Sequence, residues 1–448
     1  MSRGGWNRRE LLIGMALAPG TGLPNKVSAL RGAARSVLIP THEFAGEIDE
    51  RLDFPAAWEI NVMRMRGHDA RVLTSEEIRQ QLDKPIGTRP LREIAAGKKT
   101  VVITFDDLTR ATPAYAVTPW LIGELKAAGI ADEDIIFLGS FGTHRAMTAL
   151  EVQKKLGAEI ARRFAWVNHN IFDNLKDVGE TSFKNRVRLN NTFLAADVKI
   201  CLSGIKVHQD AGYGGGAKAV LPGVAGLDST EYNHGAILRN IKTAGPVRVF
   251  KNEMRLNMIE AARLAKVDFS VQILYNSKLK VTHVFSGDIV EAHHAAVRAA
   301  ARHYCTPTFQ NADIVVTNGY PQNAQAYHSQ RWIARSVREG GTGVLIIQHP
   351  LGLDPVHYLN QRVSGRQVPT YFEQIARRRN APLPKNSGLI VYSQYMDRQQ
   401  MNTYPRATAF ASTWKEVIRL LQARHRGEAR VAVYPYGGMQ HQEIELDE

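Results

Sequence analysis

Cysteine is nearly absent: the 448-residue chain has Cys201 and Cys305 and no others. Two thiols can build neither a disulfide framework nor a four-cysteine zinc site. Long apolar runs are missing too, since none reaches the roughly 18 residues needed to cross a bilayer, so no stable membrane insertion is expected. Thirty-six glycines and 19 prolines are too few and too scattered for a collagen-like or low-complexity chain. Acidic residues are in deficit, 43 against 57 basic, for a net charge of +14. That balance invites an anionic partner. The basic residues are dispersed, however, and the densest run is only Arg377-Arg378-Arg379. Nucleic-acid binders concentrate such charge in a stripe, so no nucleic-acid partner is expected. A hydrophobic content of 44% with 22% charged residues is that of a folded globular chain. Its length suggests two or three domains.

The amino terminus has a design of its own. Arg8-Arg9 precede the short apolar stretch Leu11 to Ala18, which Pro19-Gly20 then break. Paired arginines before a short apolar segment form the pattern of a twin-arginine export signal. Val27-Ser28-Ala29 offers a small-residue cleavage site after Lys26. Residues 1–29 therefore read as a signal peptide, which implies export to the periplasm through the twin-arginine translocase. The alternative is a basic tail on a cytoplasmic enzyme.

From Lys99 onward, short β-branched runs alternate with amphipathic stretches. Val101–Phe105, Ile135–Leu138, Val198–Leu202, Phe269–Leu274, Val281–Phe285, Ile314–Thr317, Val344–Ile347, Leu389–Tyr392 and Arg430–Val433 read as strands. Tyr115–Ala128, Glu291–Tyr304, Gln325–Arg338 and Ser412–Arg424 read as helices. Strand–helix alternation of this kind predicts the α/β class, with mostly parallel sheets flanked by helices. A boundary at Cys305-Thr306-Pro307 divides the chain into residues 30–305 and 306–448, with an active site expected in the cleft between them.

Three polar loops follow three of these strands. After Val198–Leu202 comes a glycine-dense loop containing His208, Gly212, Gly214, Gly215, Gly216 and Lys218. Such loops let backbone N–H groups approach an anion. The lysine suggests a P-loop, but Ala219 stands where that motif needs a Ser/Thr metal ligand. After Val101–Phe105 comes Asp106-Asp107-Leu108-Thr109-Arg110-Ala111-Thr112-Pro113, in which Arg110 can grip a carboxylate or phosphate bidentately. After Ile135–Leu138 comes Gly142-Thr143-His144-Arg145, whose histidine can exchange protons near neutral pH. In open α/β sheets the carboxyl ends of strands face the ligand crevice. Three such loops together therefore outweigh any one of them.

These motifs, with His234 sixteen residues past Lys218, closely resemble the nickel-pincer-nucleotide lactate racemase family, and the resemblance runs from about Arg35 nearly to the carboxyl terminus. It implies a racemase or epimerase of 2-hydroxy acids. Its cofactor would be a pyridinium-derived mononucleotide holding nickel in a sulfur–carbon–sulfur pincer. Lys218 would tether the cofactor covalently, His234 would complete the nickel coordination, and Asp107, Arg110, Gly214, Gly215 and Gly216 would line its binding site. His144 and His208 would be the acid/base pair on the substrate hydroxyl, with Arg110 also meeting the carboxylate. Cofactor-making enzymes become expected partners. Imidazole is a sensible nickel ligand, and a sulfur-rich pincer completes a square-planar set.

The second half departs from the family pattern. Where lactate-racemising members usually show Tyr-Gln-x-x-Lys, this chain reads Tyr327-His328-Ser329-Gln330-Arg331. The resemblance makes Tyr327, His328 and Arg331 substrate contacts. A guanidinium fork in place of a point charge is no conservative change, so a substrate larger or more polar than lactate is expected. The reading from a different class is a non-catalytic anion- or nucleotide-binding protein that retains the glycine loop. The histidine pair His293-His294 reads as surface.

Overall fold

The computed structural model describes residues 35–43, 46–238, 241–350 and 383–448. The expected export segment, residues 1–29, and the Arg377–Arg379 run lie outside the described residues. Two six-stranded sheets organise the rest. In the first the order is Val281–Gly287, Phe269–Tyr275, Val198–Gly204, Val101–Phe105, Ile135–Gly139, Ala165–Asn168. All neighbours run parallel except the Val281–Gly287 edge. The second sheet is wholly parallel, in the order Ala409–Ala411, Gly388–Tyr392, Val337–Ile346, Ala312–Asn318, Ala429–Tyr434, Trp58–Val62. The fold is α/β, as the alternation predicts.

The central strands explain why that alternation was readable. Val101–Phe105 is buried at every position, and Phe269–Tyr275 likewise. A parallel strand covered on both faces must be apolar throughout. Thr148 and Glu151 form a capping box at the start of Ala149–Leu156, which fixes where the loop bearing His144 ends.

The strands with no sequence signal are short or polar. Ile48–Phe54 (IDERLDF) and Leu175–Glu180 (LKDVGE) sit in two-stranded hairpins with mostly exposed or half-buried positions. Within the stretch expected as one helix over Gln325–Arg338, a 3-10 turn, Asn323–His328, precedes the helix Gln330–Ser336, and Val337 already opens the next strand. The pairing also differs from the division at residue 305. Trp58–Val62 lies against Ala429–Tyr434 and so extends the second sheet. The carboxyl terminus returns in the opposite direction: Met439 joins the core of the first sheet, and Asp447 accepts the amides of Val249 and Phe250.

What positions a site is the winding of each sheet. In the first, the chain leaves Val101–Phe105 toward Ile135–Gly139, then returns to Val198–Gly204 on the other flank. Strand order reverses between those neighbours, and a crevice opens at their carboxyl ends. The second sheet reverses between Ala312–Asn318 and Ala429–Tyr434. The two crevices adjoin, because Gln322, just past Ala312–Asn318, donates from Nε2 to the Thr109 carbonyl at 2.7 Å.

Candidate active site

One cavity lies at the first crevice, lined by Asp106, Asp107, Arg110, Thr143, His144, His208, Asp210, Gly215, Lys218, His234 and, from the second half of the chain, His328. Asp107, Arg110, His144, His208, Gly215, Lys218 and His234, seven of the expected site residues, thus meet around one space. Each loop leaves a parallel strand at the same end, so neighbouring strands bring distant sequence within reach.

Asp107 is buried and its oxygens have separate tasks. Oδ1 accepts the Thr109 amide at 2.8 Å and the Thr109 hydroxyl at 2.5 Å, while Oδ2 meets His144 Nδ1 at 2.5 Å. Burial alone would raise this carboxyl, but the His144 ring, Arg110 and Thr109 hold it well below the usual carboxylate range. A carboxylate at Nδ1 fixes the proton there, and proton exchange with a ligand falls to Nε2. Asp106 makes a separate ion pair. Its Oδ1 takes the Lys155 ammonium at 2.5 Å, and its Oδ2 takes Thr112 Oγ1 at 2.6 Å and the Gly204 amide at 3.1 Å. Lys155 also donates to the Arg110 carbonyl at 2.8 Å. Asp106 and Lys155 therefore bind the Asp107–Arg110 turn to the adjoining strand. Nothing in the sequence marks Lys155, which sits in EVQKKLG like a solvated helix lysine.

The glycine loop does something other than expected. The amide of Gly214 donates to the Lys206 carbonyl at 2.7 Å, and that of Gly216 to Gln272 Oε1 at 3.0 Å. The Gly215 carbonyl accepts Arg255 Nη1 at 2.8 Å, and the Gly214 carbonyl meets His293 Nε2 at 2.9 Å. The amides of Gly214 and Gly216 are thus spent inside the protein and do not point at an anion. Gly215 and Gly216 have φ of +75° and +59°, and an added Cβ would fall 2.5 Å from Gln272 Oε1 or 2.6 Å from His293 Cγ. These glycines serve close packing and left-handed backbone. His293, expected on the surface, is buried against the loop. Arg255, 1% exposed, also donates to the carbonyls of Ala211, at 3.0 Å, and Tyr213. It has no carboxylate partner among the described residues, and burial lowers it to about 9.

Lys218 ends this loop within the turn Gly216–Ala219. Burial, then the charges of Arg110 and Arg255, push its amine down to about 7. His234 sits in a π-helical turn, Tyr232–Ile237, a widening frequent at functional sites. Burial and the nearby Lys218 push its ring well below the ordinary histidine range, against a smaller opposing effect from the Thr230 carbonyl. Its Nδ1 is buried and makes no hydrogen bond of normal geometry. His208 is likewise lowered, by burial and then by Lys218 and Arg110.

The second half contributes unevenly. His328 lines the cavity and meets Gln209 Oε1 at 3.0 Å. Arg331 donates to the Gln440 carbonyl at 2.5 Å and is not among the residues lining the cavity. The Tyr327 side chain lies outside the described residues. Lys206 is 4% exposed, its amine held well below the lysine range by burial and then by the charges of Arg110 and Arg331.

The parallel α/β architecture gathers an Asp–His pair, three further imidazoles and an amine around one crevice, groups whose chemistry suits proton transfer. Residues 46–245 match the family model described as the lactate racemase N-terminal domain. The chain is 27% identical over 381 residues to a lactate racemase of Lactiplantibacillus plantarum, covering 81% of this chain and 89% of that one. It is 28% identical over 304 residues to a lactate racemase of Thermoanaerobacterium thermosaccharolyticum, covering 66% and 70%. Its fold matches the lactate racemase apoprotein structure from the latter organism with a TM-score of 0.68 at 20% identity, over 92% of this chain and 100% of that chain. A Thermotoga maritima protein matches with a TM-score of 0.60 at 19% identity, over 84% and 99%. By these matches the chain is similar to lactate racemases, and residues 46–245 to the N-terminal domain of that family.

Proposed function

We propose that the protein is an isomerase that inverts the carbinol carbon of a 2-hydroxy acid. The observation that carries this reading is the Asp107–His144 pair, 2.5 Å apart, at a cavity shared with His208, Lys218 and His234. The names of the relatives support the same reaction class.

The site fits the nickel-pincer nucleotide in its own residues. Lys218 supplies a buried amine lowered to about 7, the state in which an amine can form a covalent tether. His234 supplies a buried ring whose Nδ1 is unsatisfied. Among the described residues no group of three or more His, Cys, Asp or Glu could hold a metal, so a metal here must bring most of its donors with it. Bound, the group would supply a hydride acceptor. The packed glycine loop presents both Gly215 and Lys218 to the cavity.

The protein's share of the chemistry is proton handling and binding. Arg110 takes the substrate carboxylate. His144 and His208 serve the hydroxyl as an acid/base pair, and Asp107 orients His144. Arg110 and Arg331 donate to neutral oxygens, and Lys206 makes no ion pair among the described residues. Such a surplus of buried positive charge favours a substrate more polar or more anionic than lactate, with His328 and Arg331 on the second-domain side. Cofactor-making enzymes are the partners this requires. Export through the twin-arginine route suits a protein that must fold around a cofactor first.

The test is cofactor-loaded protein offered an α-deuterated panel of 2-hydroxy acids, scored by isomer-resolving chromatography. Isomerisation with the deuterium kept at the α carbon is expected. No isomerisation of any member by fully loaded protein would leave a nucleotide-binding protein without this activity.

A further inference from the structure

The crevice of the second sheet is filled by the chain itself, and the residue that fills it grips the turn that reaches the active site. Resting on the reaction proposed above, we infer that Glu43 is a positioning residue for it: its buried carboxyl group clamps Asn323 and so sets where the turn Asn323–His328 delivers His328 to the cavity.

Strand order in the second sheet reverses between Ala312–Asn318 and Ala429–Tyr434, the place where a doubly wound sheet takes its ligand. Asn318 ends its strand there and donates from Nδ2 to the Pro435 carbonyl at 3.0 Å and to the Pro40 carbonyl at 2.7 Å. Pro40 and the residues after it therefore lie across the switch point. His42 has φ of +58°, and its amide donates to the Gln348 carbonyl at 3.3 Å. Its ring is held between Thr41 Oγ1 at 2.7 Å and Tyr395 Oη at 2.6 Å. Glu43 follows, 2% exposed. Its Oε1 accepts the Asn323 amide at 2.8 Å and its Oε2 accepts Asn323 Nδ2 at 2.5 Å. Burial pushes the carboxyl up to about 7, against the pull of the two Asn323 donors. The charged group nearest to it is another acid, Glu47. An acid kept in the interior without a cation is costly, and what this one provides is the placement of Asn323.

Asn323 opens the turn whose far end is His328, the residue that lines the cavity and meets Gln209 Oε1 at 3.0 Å. Just before Asn323, Gln322 donates to the Thr109 carbonyl, which also accepts Arg110 Nη1 at 3.1 Å. A shift of Asn323 thus disturbs two sides of the cavity together, His328 directly and Arg110 through Thr109. Both are binding groups in the reading above, so Glu43 acts on binding more than on proton transfer. Asn323 itself is fully buried, and its Oδ1 has no hydrogen-bond partner. Turning that amide over brings Oδ1 to face Glu43. A protonated acid, or an amide of the same shape, can then accept the Asn323 backbone N–H with one atom and donate to Oδ1 with the other. The clamp therefore depends on the shape and pairing of the side chain and survives loss of its charge. Removing the carboxyl group outright leaves both Asn323 donors buried without an acceptor.

The experiment compares Glu43→Ala and Glu43→Gln in cofactor-loaded protein, on whichever 2-hydroxy acid of the panel the wild type isomerises best. Glu43→Ala is expected to lose about 10²-fold in kcat/KM, the scale of a misplacement of about 1 Å, carried mainly by KM. Glu43→Gln should stay within about threefold of wild type, because both hydrogen bonds are remade. Equal losses in the two variants, or a loss carried by kcat alone, would overturn the inference while leaving the reaction standing. A readout free of turnover is NMR of the cofactor-free full-length chain carrying 13C-labelled histidine, with the His328 ring assigned by its disappearance in His328→Gln. The ring signal should move in Glu43→Ala and keep its wild-type position in Glu43→Gln. Asn323→Ala, which removes the side-chain bond from the other partner, should move it too and serves if Glu43→Ala folds poorly. A His328 ring unmoved in the alanine variants would overturn the inference even for a protein that isomerises nothing.

Discussion

Replacing Asp107 by asparagine changes one atom and should invert the tautomer of His144. Asparagine keeps the shape of aspartate but can present its amide in two ways. Thr109 decides between them, because its backbone N–H, 2.8 Å from Asp107 Oδ1, can only donate. The carbonyl oxygen of the substituted side chain must therefore face Thr109, which turns its NH₂ toward His144 Nδ1. That nitrogen then has to accept, the ring proton moves to Nε2, and the atom that should take the hydroxyl proton already carries one. An amide behind a catalytic histidine in this geometry lowers kcat by about 10⁴-fold. That is about 5.4 kcal/mol at 1.36 per decade. Folding should suffer much less, by about 1.5–3 kcal/mol for a lost hydrogen bond between charged groups. The assay is isomer-resolving chromatography on protein whose cofactor load is confirmed by intact mass. An Asp107→Asn variant with normal loading and more than about a tenth of the wild-type rate would refute both the orientation argument and the role of Asp107.

Arg255→Leu should destabilise the protein by about 1–3 kcal/mol for each carbonyl left without a donor, since those of Ala211, Tyr213 and Gly215 all lose the guanidinium. A urea midpoint within experimental error of wild type would contradict it. Lys218, lowered to about 7, binds a proton more weakly folded than unfolded. Stability of the cofactor-free protein should therefore rise as pH climbs from about 7 toward the ordinary lysine range, and Lys218→Met should flatten that rise in denaturation curves. Lys206→Met and Arg331→Lys should each weaken use of a hydroxy-diacid more than use of lactate. Lactate emerging as the best substrate, unaffected by either change, would end the proposal of a more anionic substrate. Lysine at both Arg8 and Arg9 should trap the protein in the cytoplasm, as fractionation with a folded reporter would show. Wild-type protein retained there uncleaved would refute export.

The sequence by itself determined the α/β class, because strands buried on both faces must be apolar along their whole length and Val101–Phe105 and Phe269–Tyr275 are. It also marked Asp107, Arg110, His144, His208 and Lys218, since loops after parallel strands open at one end of a sheet and polar residues there stand out against the apolar runs before them; His234 was marked only by the family resemblance. The tertiary structure decided the rest. Trp58–Val62 and Ala429–Tyr434 are neighbours that no local pattern could pair. Lys155 and Arg255 read as ordinary helix cations until packing buries one on Asp106 and the other on three carbonyls of the glycine loop. The expected cradle of amides at Gly214 and Gly216 depended on what lay behind it, and Lys206 and Gln272 claim those donors. Periodicity and composition report which face of an element is buried. The partner of a buried polar group is chosen by side chains far away in sequence, as Gln272 is chosen for the Gly216 amide 56 positions before it.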